Sequence, residues 1–172
     1  MSICFKESTK ILTDKGYIKI ENLKKGDLIQ TLKNGFVPVY QIGISTISNQ
    51  ASSIRIKDQL YLLCSFNYKE IFEDLVLTGS HSILVDTIPD SLINPVKGLL
   101  GNIYVTDDKY RLPVCLDPRS IVYKGLGQHN IYNIALENDN YCSNYGIYAN
   151  GLLVESCSKM YLTELSKMKL KY

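Results

Sequence analysis

Cys4 and the run Thr78-Gly79-Ser80-His81 are the residues best suited to chemistry rather than packing. A cysteine with its ordinary pKa near about 8.5 is only a few per cent thiolate at neutral pH, yet it is intrinsically nucleophilic. A histidine titrates near neutrality and can pass a proton to a departing amine, and a hydroxyl three residues earlier can help hold the same group. Each has a plainer reading. Cys4 alone reads equally as a small buried hydrophobe, and His81 alone as a structural histidine with a capping threonine. Cys64, Cys115 and Cys142 read as packed hydrophobes. Only 2 histidines exist in the chain, His81 and His129, so the search for a general acid is short. A third segment, Tyr148-Ala149-Asn150-Gly151-Leu152-Leu153-Val154-Glu155-Ser156-Cys157, sets a glycine between apolar runs and ends on another thiol.

These residues need a scaffold of strands. The 13 tyrosines, the many β-branched residues and the frequent Gly or Asn turns predict an all-β chain. Strands are expected at 10–13, 17–20 and 28–31, with Asn34-Gly35 turning into a strand at 36–44. Pro38 predicts that this last strand lies at an edge or is bulged. Residues 54–56 and 59–66 are expected to form a hairpin, 74–77 to lead into Thr78-x-x-His81, and 82–85 to continue as a buried strand. Four of the 5 prolines fall in 86–120, which reads as a loop-rich middle. Late runs at 131–136 and 146–154 read as strands paired around a polar turn. From residue 159 onward Tyr161, Leu165, Met168 and Tyr172 recur at helical spacing, while Met168, Leu170 and Tyr172 alternate, so the tail reads as helix or strand.

The bulk numbers exclude several function classes. A chain of 172 residues suits one domain. A net charge of +2 makes no electrostatic case for nucleic acid or a membrane surface. No apolar run is long enough to span a bilayer, and no signal peptide is legible at the start. The 5 cysteines show neither a CxxC pair nor a close His/Cys cluster, so neither a disulfide framework nor a zinc site is expected. A reducing, cytoplasmic environment and a monomer are the default expectations.

Taken in order, the three segments resemble the Hint domain, the module shared by hedgehog autoprocessing regions, inteins and related viral, phage and bacterial proteins. Cys4-Phe5 through Thr9-Lys10-Ile11-Leu12-Thr13, then Gly16, Ile20, Leu23, Gly26-Asp27, Ile29 and Thr31, is similar to its first block. Thr78-x-x-His81 with Ile83-Leu84-Val85 is similar to the second. The stretch from Ile131-Tyr132-Asn133 through Ala149-Asn150-Gly151-Leu152-Leu153-Val154 is similar to the closing blocks. The resemblance spans 4–157 and leaves 1–3 as an upstream stub and 158–172 as a C-terminal tail.

That resemblance implies a compact, twisted all-β Hint fold of short antiparallel strands, with the two chain ends close together. It implies autocatalysis by an N-to-S acyl shift. Cys4 attacks the carbonyl of Ile3, the peptide becomes a thioester, and water, a thiol or an amine then releases the upstream protein, which is thus the domain's own substrate. His81 would protonate the departing nitrogen and Thr78 would hold the tetrahedral oxygen or the amide. Asn133 stands where inteins often place Asp, so its role is limited to hydrogen bonding, with His129 a candidate to compensate. No metal or organic cofactor is required.

The departures from the pattern narrow the activity. Glu155-Ser156 stand where a splicing intein carries His-Asn before the downstream nucleophile, so Asn cyclisation has no residue to act on and full splicing is not expected. Residues 36–50 hold no Asp or Glu and only fifteen residues follow Cys157, which argues against sterol transfer. Cys157 is either a second nucleophile or a packed thiol. A Hint-fold assembly module without cleavage is the competing reading.

Overall fold

The computed structural model describes residues 3–172. The fold is all-β, and every strand pairing among the described residues is antiparallel. Its elements in chain order begin with β1 (Phe5–Lys6), β2 (Lys10–Thr13), β3 (Gly16–Lys19), β4 (Leu28–Gln30) and β5 (Phe36–Asn49). There follow β6 (Leu60–Leu63), β7 (Leu75–Thr78), β8 (Ser82–Val85), helix α1 (Asp90–Leu100), β9 (Val105–Thr106) and β10 (Lys109–Pro113). The chain closes with β11 (Ile121–Val122), β12 (Gly127–Leu136), β13 (Gly146–Ala149), β14 (Leu152–Glu155), a π-helical turn at Tyr161–Leu165 and β15 (Lys169–Leu170).

The long strand β5 joins two sheets. Its first residues pair with β4, Leu28 opposite Pro38 and Gln30 opposite Phe36. From Val39 to Asn49 it pairs with β12, broken by one register shift between Ala135 and Leu136. The strand order runs β11-β6-β7-β1-β12-β5-β4-β2-β13-β14-β8-β10-β9, with β15 added on β5 and β3 on β2. Pro38 is therefore not at a sheet edge, and of the two expectations it is the bulge that holds, because the ladder with β12 passes from Gln41 to Val39 and skips Tyr40. Pro38 sits where β5 leaves one sheet for the other, and its carbonyl still accepts from Glu137 N–H at 2.9 Å. The core between the sheets is apolar: Phe5, Ile11, Ile29, Ile42, Tyr61, Leu77, Ile134, Ile147 and Val154 are all buried. Each such side chain contributes roughly 1.5–3 kcal/mol relative to exposure.

Three sequence expectations give way. Residues 54–56 form no strand, and Arg55 instead reaches the carbonyls of Val114, Cys115, Asp117 and Ser120. The middle segment is not all loop, because Asp90–Leu100 is helical despite Pro95. The two late runs are not partners either. β13 and β14 pair with each other around Asn150-Gly151, both at positive φ (46° and 95°), while β12 lies between β1 and β5. An Asn-Gly pair is the favoured two-residue hairpin turn, since both positions need φ > 0.

Candidate active site

Strand β1 brings the Ile3–Cys4 peptide into the middle of one sheet, between β7 and β12. The consequence is that both polar atoms of this peptide are held by side chains from its neighbours. Cys4 N–H donates to Thr78 Oγ1 at 2.9 Å. The Ile3 carbonyl accepts from Asn133 Nδ2. Asn133 is itself oriented, because its Oδ1 accepts from Ile134 N–H at 2.9 Å, which turns the amide nitrogen toward Ile3. Thr78 also contacts the next carbonyl along, with its N–H 3.1 Å and its hydroxyl 3.4 Å from Cys4 O.

His81 is buried beside this peptide. Its ring meets Phe5 edge-on, with centroids 4.4 Å apart. Nε2 lies 2.9 Å from the Glu155 carbonyl, which can only accept, so in the neutral ring Nε2 carries the proton and Nδ1 is the basic nitrogen. Nδ1 is buried with no hydrogen-bond partner among the described residues. Burial lowers the His81 pKa from 6.5 to about 4, against the opposing pull of the Glu155 and Cys4 backbones. At neutral pH the ring is uncharged.

The closing segment completes the site. Cys157, Ala135 and Leu162 form one small buried cluster, and Cys157 Sγ donates to Ile134 O at 3.2 Å. Burial raises the Cys157 pKa, and its nearness to Cys4 and Glu155 raises it further. Cys4 is 1% exposed, with Sγ 3.9 Å from Met168 Sδ, and burial pushes its thiol up to about 12. The Glu155 carboxyl is also buried, which raises its pKa. Arg111 Nε at 3.3 Å, Ser82 N–H at 3.3 Å and Asn144 Nδ2 at 3.4 Å offset part of that cost.

Thr78 and Asn133 therefore hold the Ile3–Cys4 peptide itself, His81 packs on Phe5 beside it, Glu155 meets His81 through its carbonyl, and Cys157 lies near Cys4. His129 does not join them: its Nε2 bonds the Gly125 carbonyl at 2.9 Å and its ring packs on Tyr123. Of the remaining thiols Cys115 is buried, Cys64 half-buried and Cys142 exposed, so Cys142 is not the packed hydrophobe the sequence suggested. Sequence reasoning gave no site role to Tyr161 or Met168. Their helical spacing hid a π-helical turn followed by a strand. Among the described residues no three His, Cys, Asp or Glu side chains gather as metal ligands would.

Comparison with known proteins bears on the family of the chain. No curated protein matches the chain. Among solved structures, an intein-like domain from Clostridium thermocellum shares 17% identity at a TM-score of 0.49, covering 91% of this chain and 99% of that one. The gp41-1 intein shares 16% at 0.46 over 88% and 96% of the two chains. A DnaB intein from Synechocystis shares 12% at 0.46 over 89% and 97%. The family model of the Hint domain matches residues 3–109, more than half of the sequence, so the chain belongs to the Hint domain family.

Proposed function

We propose that the chain is a self-processing domain acting on its own upstream polypeptide, and that Cys4 starts the reaction by an N-to-S acyl shift. The thiol sulfur bonds to the Ile3 carbonyl carbon, the Ile3–Cys4 C–N bond breaks, and the thiol proton ends on the freed amine of Cys4. The products are a thioester and an amine, with no cofactor consumed. Water, a thiol or an external amine then releases the upstream protein. In the same reading residues 4–157 carry the Hint blocks.

One observation supports it above others: the same peptide bond has its oxygen on Asn133 and its N–H on Thr78. Charge develops on that oxygen as sulfur attacks, and a preplaced donor in a dry site is worth far more than one in water. Thr78 Oγ1 accepts the amide hydrogen and so fixes the plane of this peptide, from which the nitrogen lone pair develops at right angles as the carbonyl is attacked. His81, whose Nδ1 has no hydrogen-bond partner among the described residues, is the candidate to protonate the departing nitrogen; burial holds it neutral, so it must first take up a proton, which its pKa near 4 opposes. With its pKa near 12, only about one Cys4 in 10⁵ is thiolate at pH 7, so attack must be coupled to such a proton transfer. With Glu155-Ser156 ahead of Cys157, the reaction ends in release rather than splicing.

The test is a carrier protein fused ahead of Ile3. The wild-type fusion should be cut at Ile3–Cys4 faster when dithiothreitol or hydroxylamine is added, and Cys4→Ala should not be cut at all. Cleavage of the alanine variant at the same bond would refute the mechanism. The buried thiol facing Met168 favours a second reading, a Hint-fold assembly module that does not cleave. A wild-type fusion that added nucleophile leaves intact would select it.

A further inference from the structure

Residues 158–172 follow the segments that resemble the family's blocks, yet they close over the Ile3–Cys4 peptide. Ser158 leads into the π-helical turn, its hydroxyl accepting Tyr161 N–H at 3.1 Å and its carbonyl accepting Leu162 N–H at 3.1 Å. The turn sends Tyr161 inward, where its hydroxyl accepts the N–H of Ile3 at 3.4 Å. Leu162, 1% exposed, packs beside Cys157. The chain reverses at Lys167 (φ 56°), lays Met168 against Cys4, and adds β15 to β5.

The end of this strap is fastened independently. Lys171 N–H bonds Ile42 O at 2.9 Å, Lys171 Nζ bonds Leu23 O at 2.8 Å, and Tyr172 N–H bonds Gln41 Oε1 at 3.0 Å. Its seat is Gly43. A Cβ there would stand 2.6 Å from Leu162 Cδ1 and 3.0 Å from Met168 Sδ, so the strap lies flat only because β5 has no side chain at that position. Ile3 and Tyr161 also line one cleft of about 350 Å³, together with Tyr104, Arg111 and Cys157.

We propose that this strap is part of the reacting site and that Tyr161 is a positioning residue for the acyl shift, acting through the amide of Ile3. The inference rests on the autoprocessing reading. Tyr161 is assigned the role through its contact with the Ile3 N–H, not through the sulfur or the carbonyl. It holds the nitrogen of the residue whose carbonyl Asn133 holds, so the two contacts together fix the rotation of Ile3 and hence the face that its carbonyl carbon presents to Cys4. Orientation of this kind is what makes an intramolecular attack fast. The contact is long for a hydrogen bond, and such contacts tighten as the reaction geometry forms.

Intact-mass measurement of dithiothreitol-cleavable thioester in carrier fusions tests the assignment. Tyr161→Phe should slow thioester formation roughly 3- to 10-fold, the worth of one net hydrogen bond. In an Ile3→Pro fusion the N–H is gone, so Tyr161→Phe should change the rate less than about twofold, as expected when both substitutions act on one contact. Equal slowing in both backgrounds, or no slowing with Ile3 present, overturns the assignment. A second arm uses the Cys4→Ala fusion and follows amide exchange at Ile3 by NMR. Tyr161→Phe should speed that exchange, and unchanged exchange overturns the contact itself. Faster exchange in a chain whose wild-type fusion makes no thioester overturns the autoprocessing reading and, with it, the catalytic part of the assignment.

Discussion

Burial of His81 against Phe5 and the Glu155 carbonyl makes its charge state a matter of folding as well as chemistry. A histidine whose folded pKa is depressed takes up its proton more readily in the unfolded chain. The stability it contributes is therefore complete above pH 6.5 and is lost as pH falls toward 4. A drop from 6.5 to about 4 is worth on the order of 3 kcal/mol. Glu155 works in the opposite direction: its raised pKa gives stability that is complete in acid and lost as pH rises. Urea unfolding of wild type and His81→Gln at pH 7 and pH 4 should separate the two, since only the wild type loses the histidine share on acidification. An equal loss in both proteins would place the acid sensitivity elsewhere. Asn133 carries a kinetic rather than a thermodynamic prediction. Removing the donor that meets the Ile3 oxygen, by Asn133→Ala, should slow thioester formation roughly 10²- to 10³-fold. A variant within threefold of wild type would show that this contact has no part in the transition state.

Among the elements, the strap and its seat on β5 cover Cys4. Gly43→Val puts a β-branched side chain where Leu162 and Met168 now lie, while a valine suits the strand itself. The expected result is a displaced strap on an intact sheet. Peptide mapping after brief alkylation should then find Cys4 labelled roughly tenfold faster or more, with exposed Cys142 unchanged as the internal control. Unaltered labelling of Cys4 would mean that the sheet alone buries it. The strap also marks where sequence reading stops. β2 and β8 follow the expected boundaries because their apolar residues point into one core, and Asn150-Gly151 is a turn because of its own φ angles. That Thr78 and Asn133 would meet the Ile3–Cys4 peptide, with His81 packed on Phe5 beside it, was legible only through the resemblance to the Hint blocks. The pairing of β12 with β5, the reach of Arg55 to carbonyls some sixty residues away, and the hydroxyl of Tyr161 on Ile3 were not, because each depends on what two distant segments present to one another. A period of 161, 165, 168 and 172 looks helical, yet packing on a bare glycine and pairing with β5 broke it into a turn and a strand.

At the scale of the whole molecule, the site has no local existence. Cys4 lies just before β1, Thr78 ends β7, His81 lies in the loop before β8, Asn133 belongs to β12 and Glu155 ends β14, while Tyr161 starts the last turn. The longest ladder, between β5 and β12, joins residues from 78 positions apart (Gly127 and Asn49) to 97 apart (Leu136 and Val39), so these groups meet only after non-local pairing is complete. Such a site should gain and lose its activity with the fold as a single unit. Thioester formation by the carrier fusion, measured at increasing urea beside the sheet signal in circular dichroism, should fall in proportion to the fraction folded. A unit rate per folded molecule is expected across the transition, because the residues that hold the Ile3–Cys4 peptide also hold the sheets together. Activity vanishing well below the unfolding midpoint would mean that the strap opens first and that the reaction needs it closed. Activity persisting after the sheet signal is gone would mean that Cys4 reacts without His81, Asn133 and Thr78, and the proposed site would then be wrong.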